Sequence, residues 1–277
     1  MTIDEIIISA LKEDIGDGDH SSLSCIPKSA KGKAKLLVKE DGILAGVDVA
    51  KRVFEIVDPE INLEFLLADG AKIKVGDIAF YASGSSLNIL KAERLALNIM
   101  QRMSGIATKT NRLVKLIEHT DCKLLDTRKT TPNFRIIEKE AVRIGGGVNH
   151  RFGLYDMVML KDNHIDFAGG IKEAILATQK YLKEIGKSLK IEVESRNLDE
   201  VKQIITAGGV QRIMLDNFTP KQVKEAVQFI NGRVETEASG GITKDTIVSY
   251  AETGVNYISV GALTHHVKSL DLSLKAV

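Results

Sequence analysis

Apolar positions near the start of the chain recur at helical spacing in "IDEIIISALKED", and Thr2 followed three residues later by Glu5 is a capping-box signature. A short amphipathic helix is therefore expected over residues 3–13. The Gly-, Asp- and Ser-rich stretch "GDGDHSSLS" that follows reads as a loop. From residue 32 to 82 the pattern changes to short apolar runs separated by Gly turns, which predicts strands with one helix near 47–57. "ILKAERLALNIMQRM" is strongly helical, and Ser104-Gly105 is expected to break that helix before another runs to about residue 118. This half reads as a small α+β domain over residues 1–107.

Beyond it the chain repeats one rhythm. "CKLLDT", "DMVMLKD", "KIEVES", "RIMLDN", "VETEAS" and "YISVGA" are six strand-like runs with helical stretches between them, the spacing of strand-plus-helix units. Such alternation implies parallel strands. Each run ends on a polar or small residue: Asp126, Lys161, Glu194, Asp216, Ser239 and Gly261. In a β/α barrel those ends converge on one mouth, whereas an open sheet spreads them along an edge, so a barrel is the better account. Residues 108–277 are too few for eight ordinary units, which predicts an incomplete barrel, with the C-terminal segment able to pack back on the first domain.

Composition narrows the partners. Against 38 Lys and Arg stand 37 Asp and Glu, so no overall field favours nucleic acid or an acidic membrane, and any cation cluster must be local. With 277 residues and 44% hydrophobic content the chain can bury a substantial core. Cys25 and Cys122 lie far apart with no CxxC, which points away from a disulfide framework or structural zinc and toward a reducing cytoplasm. Asp4 and Glu5 stand where a signal peptide would be apolar or basic, and no run approaches the roughly 18 apolar residues of a membrane span.

The last two strand ends carry "SGGIT" (239–243) and "SVGAL" (259–263), small-residue loops expected to open helices. Exposed backbone N–H groups there favour phosphate, although Gly-Gly before a helix is also an ordinary turn. Glu194 and Asp216 end adjacent strands and can hold Mg²⁺ through water or bind ribose hydroxyls directly. Alternation in "IEVES" puts Glu192 on the same face as Glu194, and pattern alone does not choose between them. Arg128, Lys129, Arg151 and Lys161 follow or end barrel strands and exceed what one phosphate needs, which suits a small ligand with two carboxylates. Arg135, Lys139 and Arg143, at helical spacing beside Glu138 and Glu140, read as a solvated helix face. His150 could serve as a satisfied loop histidine, and Asp162, His164 and Asp166 match no familiar zinc spacing.

"TRKTTP", "EKEAVRIGGGVNHRFGL", "LKDNHI", "EVE", "LDN" and "ASGGI", in this order, resemble nicotinate-nucleotide pyrophosphorylase (carboxylating), also called quinolinate phosphoribosyltransferase. The similarity extends to "GDGDHSSL" and "AERLALN", so it covers nearly the whole chain; Asn133 and Glu140 stand where the family usually has Gly and an aromatic. The resemblance implies an α/β fold with a small sandwich domain before an incomplete barrel. It also implies phosphoribosyl transfer from 5-phosphoribosyl 1-diphosphate to quinolinate, with Mg²⁺ and loss of CO₂. By matching motifs, Thr127, Arg128, Lys129, His150, Arg151 and Lys161 correspond to the quinolinate site, and Arg94 to an arginine supplied across a homodimer or within a hexamer. Glu194, Asp216, the loop Ser239, Gly240 and Gly241, and the loop Val260, Gly261 and Ala262 correspond to the phosphoribosyl side, with Lys129, Lys161, Glu194 and Asp216 in catalysis and Mg²⁺ held indirectly by Glu194 and Asp216. Two alternatives remain: a Schiff-base lyase using Lys161, and a non-enzymatic homologue of the molybdenum-transport-associated type.

Overall fold

The chain enters α1 (Ile3–Ile15) through the expected capping box: the Thr2 hydroxyl accepts the Glu5 amide and the Glu5 carboxylate accepts the Thr2 amide. The computed structural model describes residues 1–277, and contacts divide them into two units. The first contains Met1–Asn111, Lys129–Gly146 and Ala262–Val277; the second contains Arg112–Arg128 and Gly147–Gly261.

After α1 come α2 (His20–Cys25), β1 (Lys31–Val38), β2 (Gly42–Ile43), α3 (Val47–Val57), β3 (Asn62–Phe65), β4 (Lys72–Ile73), β5 (Ile78–Ser85) and α4 (Ser86–Ile117). The chain continues with β6 (Lys123–Leu125), α5 (Arg135–Ile144), β7 (Val158–Leu160), α6 (Asp162–Ala168), α7 (Ile171–Glu184), β8 (Ile191–Ser195) and α8 (Leu198–Ala207). It ends with β9 (Arg212–Asp216), α9 (Pro220–Ile230), β10 (Glu235–Ser239), α10 (Ile247–Ala251), β11 (Tyr257–Ser259), α11 (Ala262–His265) and β12 (Leu272–Ala276).

In the first unit an antiparallel sheet of order β12-β1-β5-β3 buries one face. Leu36 and Val38 alternate inward along β1, and Phe80 of β5 meets Phe54 of α3 edge-on at 6.0 Å between centroids. Three expectations fail here for physical reasons. Part of "GDGDHSSLS" is helical, because the Asp19 side chain accepts the Ser22 amide and caps α2. Helix α4 runs unbroken through Ser104-Gly105. The Ser104 hydroxyl donates to the Ala45 carbonyl and accepts its amide, and a Cβ at Gly105 would sit 2.3 Å from the Lys268 carbonyl oxygen, so the small pair serves close packing. Finally, Glu138 and Lys139 of α5 are buried, not solvated; Glu138 is bridged by Arg102, and the Glu140–Arg143 pair stays exposed.

The second unit holds the six expected strands in one parallel sheet, order β6-β11-β10-β9-β8-β7. Each of the pairs β7-β8, β8-β9, β9-β10 and β10-β11 joins strands adjacent in sequence, but β6 and β7 end as opposite edges, so the barrel is incomplete. A parallel bridge between Leu125 and Val148 extends the β6 edge. Val193, Ile213, Leu215, Ala238 and Ile258 are almost fully buried, as are Val201, Ile204 and Val223 of α8 and α9. Each such large aliphatic side chain contributes about 1.5–3 kcal/mol. No helix is long and apolar enough to cross a membrane.

Candidate active site

The alternate face of the parallel strands is charged. Pairing sets Glu192 of β8 and Glu235 of β10 level with Arg212 of β9, and Ser239 level with Asp216. Since side chains repeat every two residues, Glu192 and Glu194, Arg212 and Asp216, and Glu235, Glu237 and Ser239 share this face. Parallel barrels usually fill it with branched aliphatics. Here Glu192 and Glu237 are wholly buried, and Arg212 reaches Glu237 at 3.1 Å and Glu235 at 3.1 Å while its guanidinium lies 4.0 Å above the Tyr257 ring.

His150 is buried against this layer, its Nε2 3.0 Å from Glu192 Oε2 and 3.3 Å from Glu237 Oε2. Its other ring nitrogen, Nδ1, accepts the Arg151 amide at 2.7 Å, and its own amide donates to buried Asp126 at 2.8 Å. Burial disfavours charge on the imidazole, but the two carboxylates outweigh that and raise its proton affinity. The Arg151 amide opposes a second ring proton, because it can donate only to an unprotonated Nδ1. The geometry thus assigns the Nε2–H tautomer, while burial and then Glu237 push the pKa of Glu192 up.

Above this layer, Lys161 at the end of β7 donates to Glu194 at 2.9 Å. Asp216, half-buried on the next strand, has its carboxyl held above the usual range by burial and then by the charge of Glu194. Arg151, half-buried, donates to the Met157 carbonyl at 3.1 Å, and burial followed by the nearby charge of Arg128 lowers its pKa. Arg128 therefore lies within electrostatic reach of Arg151. Thr127 is half-buried just after β6.

Ser239–Gly241 forms a tight loop: Gly240 has φ of 99°, and a Cβ there would lie 2.2 Å from Asn217 Oδ1. The Ser239 carbonyl accepts the Asn217 amide at 2.8 Å. This loop does not open directly into a helix; α10 begins at Ile247 and holds five residues. Val260 donates its amide to the Leu125 carbonyl, which ties the second loop to β6.

Arg94 is exposed on α4, and Lys129, Ala262 and Arg94 belong to the first unit. The Lys129 carbonyl accepts the Thr264 hydroxyl at 2.8 Å, and Lys109 donates to the Ala262 carbonyl at 2.6 Å. Asn133 has φ of 63°, a conformation that Gly adopts freely and Asn tolerates. His164 accepts the Lys161 amide through Nδ1, a helix-capping role.

Sequence reasoning missed Glu237, Glu235 and Arg212. Period-two alternation backward from Ser239 in "VETEAS" and from Asp216 in "RIMLD" would have found all three.

A parallel β/α sheet whose strand ends collect arginine, lysine and paired carboxylates defines an enzyme for a small, multiply charged substrate. The chain belongs to the quinolinate phosphoribosyl transferase family: residues 19–104 match its N-terminal domain and residues 106–275 its C-terminal domain. It is 47% identical to the chloroplastic nicotinate-nucleotide pyrophosphorylase [carboxylating] of Oryza sativa subsp. japonica, over 98% of this chain and 76% of that protein. It is 42% identical to the probable nicotinate-nucleotide pyrophosphorylase [carboxylating] of Bacillus subtilis (strain 168), over 95% of this chain and 89% of that protein. Among solved structures, the nicotinate-nucleotide pyrophosphorylase from Francisella tularensis superposes with a TM-score of 0.93 at 42% identity, covering 99% of this chain and 96% of that one.

Proposed function

We propose that this chain transfers the phosphoribosyl group of 5-phosphoribosyl 1-diphosphate to quinolinate, releasing diphosphate and CO₂ and forming nicotinate mononucleotide. The observation that carries the reading is half-buried Arg151, held at Nη1 by the neutral Met157 carbonyl, on a unit that also presents Lys161. A pyridine dicarboxylate supplies negative charge to such cations, and a guanidinium can grip a carboxylate with two hydrogen bonds. Family membership supports the same substrate.

The chemistry follows from charge placement. The pyridine nitrogen bonds to the anomeric carbon as its bond to diphosphate breaks, and Glu194 and Asp216 stabilise positive charge developing on the sugar. Once the nitrogen is quaternary, the adjacent C–CO₂ bond can break and leave its electron pair on ring carbon beside a cationic nitrogen. That carbon takes a proton in exchange, which either Lys129 or Lys161 can return. Glu194 and Asp216 fit Mg²⁺ held through water: both offer hard oxygen donors, and the Asp216 carboxyl, pushed up by burial and then by the charge of Glu194, would be relieved by a cation. Mg²⁺ bound there would offset charge on the departing diphosphate. The Ser239–Gly241 and Val260–Ala262 loops take the phosphate groups. An isologous dimer, alone or within a hexamer, would bring exposed Arg94 of one subunit to its neighbour's site. Two unpaired cysteines fit a reducing compartment such as the cytoplasm.

The test is incubation with quinolinate, phosphoribosyl diphosphate and Mg²⁺, following CO₂ and the mononucleotide. Replacing quinolinate by nicotinate deletes one charge-assisted contact, a loss of about 1.5–3 kcal/mol or more. Comparable turnover of the two acids would sink the dicarboxylate assignment.

A further inference from the structure

Glu192 and Glu237 place two carboxylates, both wholly buried, inside the sheet face that parallel barrels ordinarily pack with aliphatic residues. Stability alone does not favour this, since desolvating such groups costs several kcal/mol each and apolar replacements are often as stable. Both converge on His150 Nε2, at 3.0 and 3.3 Å, and Arg212 steadies Glu237 from its other side at 3.1 Å. The opposite edge of the imidazole receives the Arg151 amide at 2.7 Å, and the main chain one residue earlier is fixed by Asp126. Arg151 is thus held at its amide by His150 and at Nη1 by the Met157 carbonyl, which leaves Nε and Nη2 for a ligand.

We propose that Glu237, together with Glu192, is a positioning residue for substrate binding: the buried carboxylates orient the His150 ring, and the ring in turn fixes the main chain of Arg151 so that its guanidinium meets one substrate carboxylate. This rests on the quinolinate reading above. The donor atoms of His150, Glu192 and Glu237 also lie within 4.8 Å of one another, a spacing compatible with a metal ion. Arg212 argues against that use, because its guanidinium already supplies positive charge to the same Glu237 oxygen that faces His150.

The experiment is a double-mutant cycle on quinolinate binding. Glu237→Leu removes the acceptor and should raise the KM for quinolinate about tenfold, leaving the KM for phosphoribosyl diphosphate unchanged and kcat within about twofold. Glu237→Gln keeps an acceptor for Nε2–H and should restore most of the affinity. In an Arg151→Ala background Glu237→Leu should cost nothing further, because the residue it positions is gone. Glu192→Leu attacks the same nitrogen from the other carboxylate and should repeat the pattern.

Equal losses in both backgrounds, or losses in both substrates' KM, would overturn the proposal in favour of general damage. So would failure of both leucine variants to fold, which would make the carboxylates structural. A stoichiometric metal that co-purifies with the wild type and is lost in Glu237→Gln would overturn it in favour of a metal site. Wild-type protein that fails to turn over quinolinate removes the functional reading itself, whereas normal wild-type turnover with additive variants removes only the positioning role.

Discussion

Glu138→Ala tests the buried ion pair that organises the segment carrying Lys129. Glu138 is fully buried, and one of its oxygens accepts Arg102 Nε at 3.1 Å and Nη2 at 2.8 Å. The same carboxylate accepts the Thr131 amide at 3.0 Å and its hydroxyl at 2.9 Å, while Arg102 also donates to the Thr264 carbonyl at 2.7 Å. Removing one partner of a buried pair costs about 3–5 kcal/mol because the other charge stays desolvated. Arg102 keeps 26% of its side-chain surface exposed and can regain some water, and exposed Thr131 can do the same, so the low end, about 3 kcal/mol, applies. At roughly 2–3 °C per kcal/mol for a chain of this size, Tm should fall by about 6–9 °C. Differential scanning calorimetry measures the fall, and the cycle Arg102→Leu, Glu138→Leu and both together isolates the pair. The double variant should be less destabilised than the sum of the singles by about 2 kcal/mol, since neither charge is then left alone. A Tm loss below about 2 °C for Glu138→Ala, or additive losses in the cycle, would refute the reasoning.

Arg128→Ala should raise KM chiefly for quinolinate and Asp216→Ala chiefly for phosphoribosyl diphosphate or Mg²⁺; steady-state kinetics with each substrate varied would expose a reversed assignment. Gly240→Ala forces a side chain into positive φ against Asn217, 2.2 Å from its Oδ1, and should weaken phosphoribosyl diphosphate binding about tenfold, with unchanged affinity counting against the phosphate role of the loop. Burial pushes the Cys122 thiol up to about 12, from about 9 when unfolded. The unfolded chain therefore binds fewer protons between those values, and wild-type stability should fall with rising pH by up to about 1.4 kcal/mol per unit more than that of Cys122→Ala, read from denaturant titrations at pH 8 to about 10.5. Subunit exchange between Arg94→Ala and Lys161→Met, each nearly inactive, should restore about a quarter of wild-type activity if Arg94 acts across a dimer and none if it acts within its own subunit.

The six parallel strands were legible because each is a short apolar run ending in a polar residue, and their spacing left little choice of architecture. Lys161, Glu194 and Asp216 were legible as site candidates for the same reason, since a strand end fixes where a side chain points, whereas Arg128 and Arg151 stand in the loops between β6 and β7. What stayed hidden depended on partners far away in sequence. Gly105 looks like a helix breaker until the Lys268 carbonyl appears beside it, and Glu138 looks solvated until Arg102 of α4 reaches it. Glu237 lay within a strand that was found, but its meaning came only from His150 and Arg212, which no local pattern places near it.

The alternation of carboxylates with aliphatic residues along β8 and β10 also governs how the sheet assembles. Parallel strands buried on both faces are commonly apolar throughout, so a slip by one residue changes little in what each face presents. In this chain the same slip would turn Glu192, Glu194 and Glu237 toward the helix-covered side and strip Arg212 of its counter-charges and His150 Nε2 of its facing carboxylates at once. The polar interior therefore acts as a register lock, penalising misaligned pairing twice over. Assembly of the strands and assembly of the site become a single event, because the arrangement that satisfies the buried charges is also the one that presents the cations.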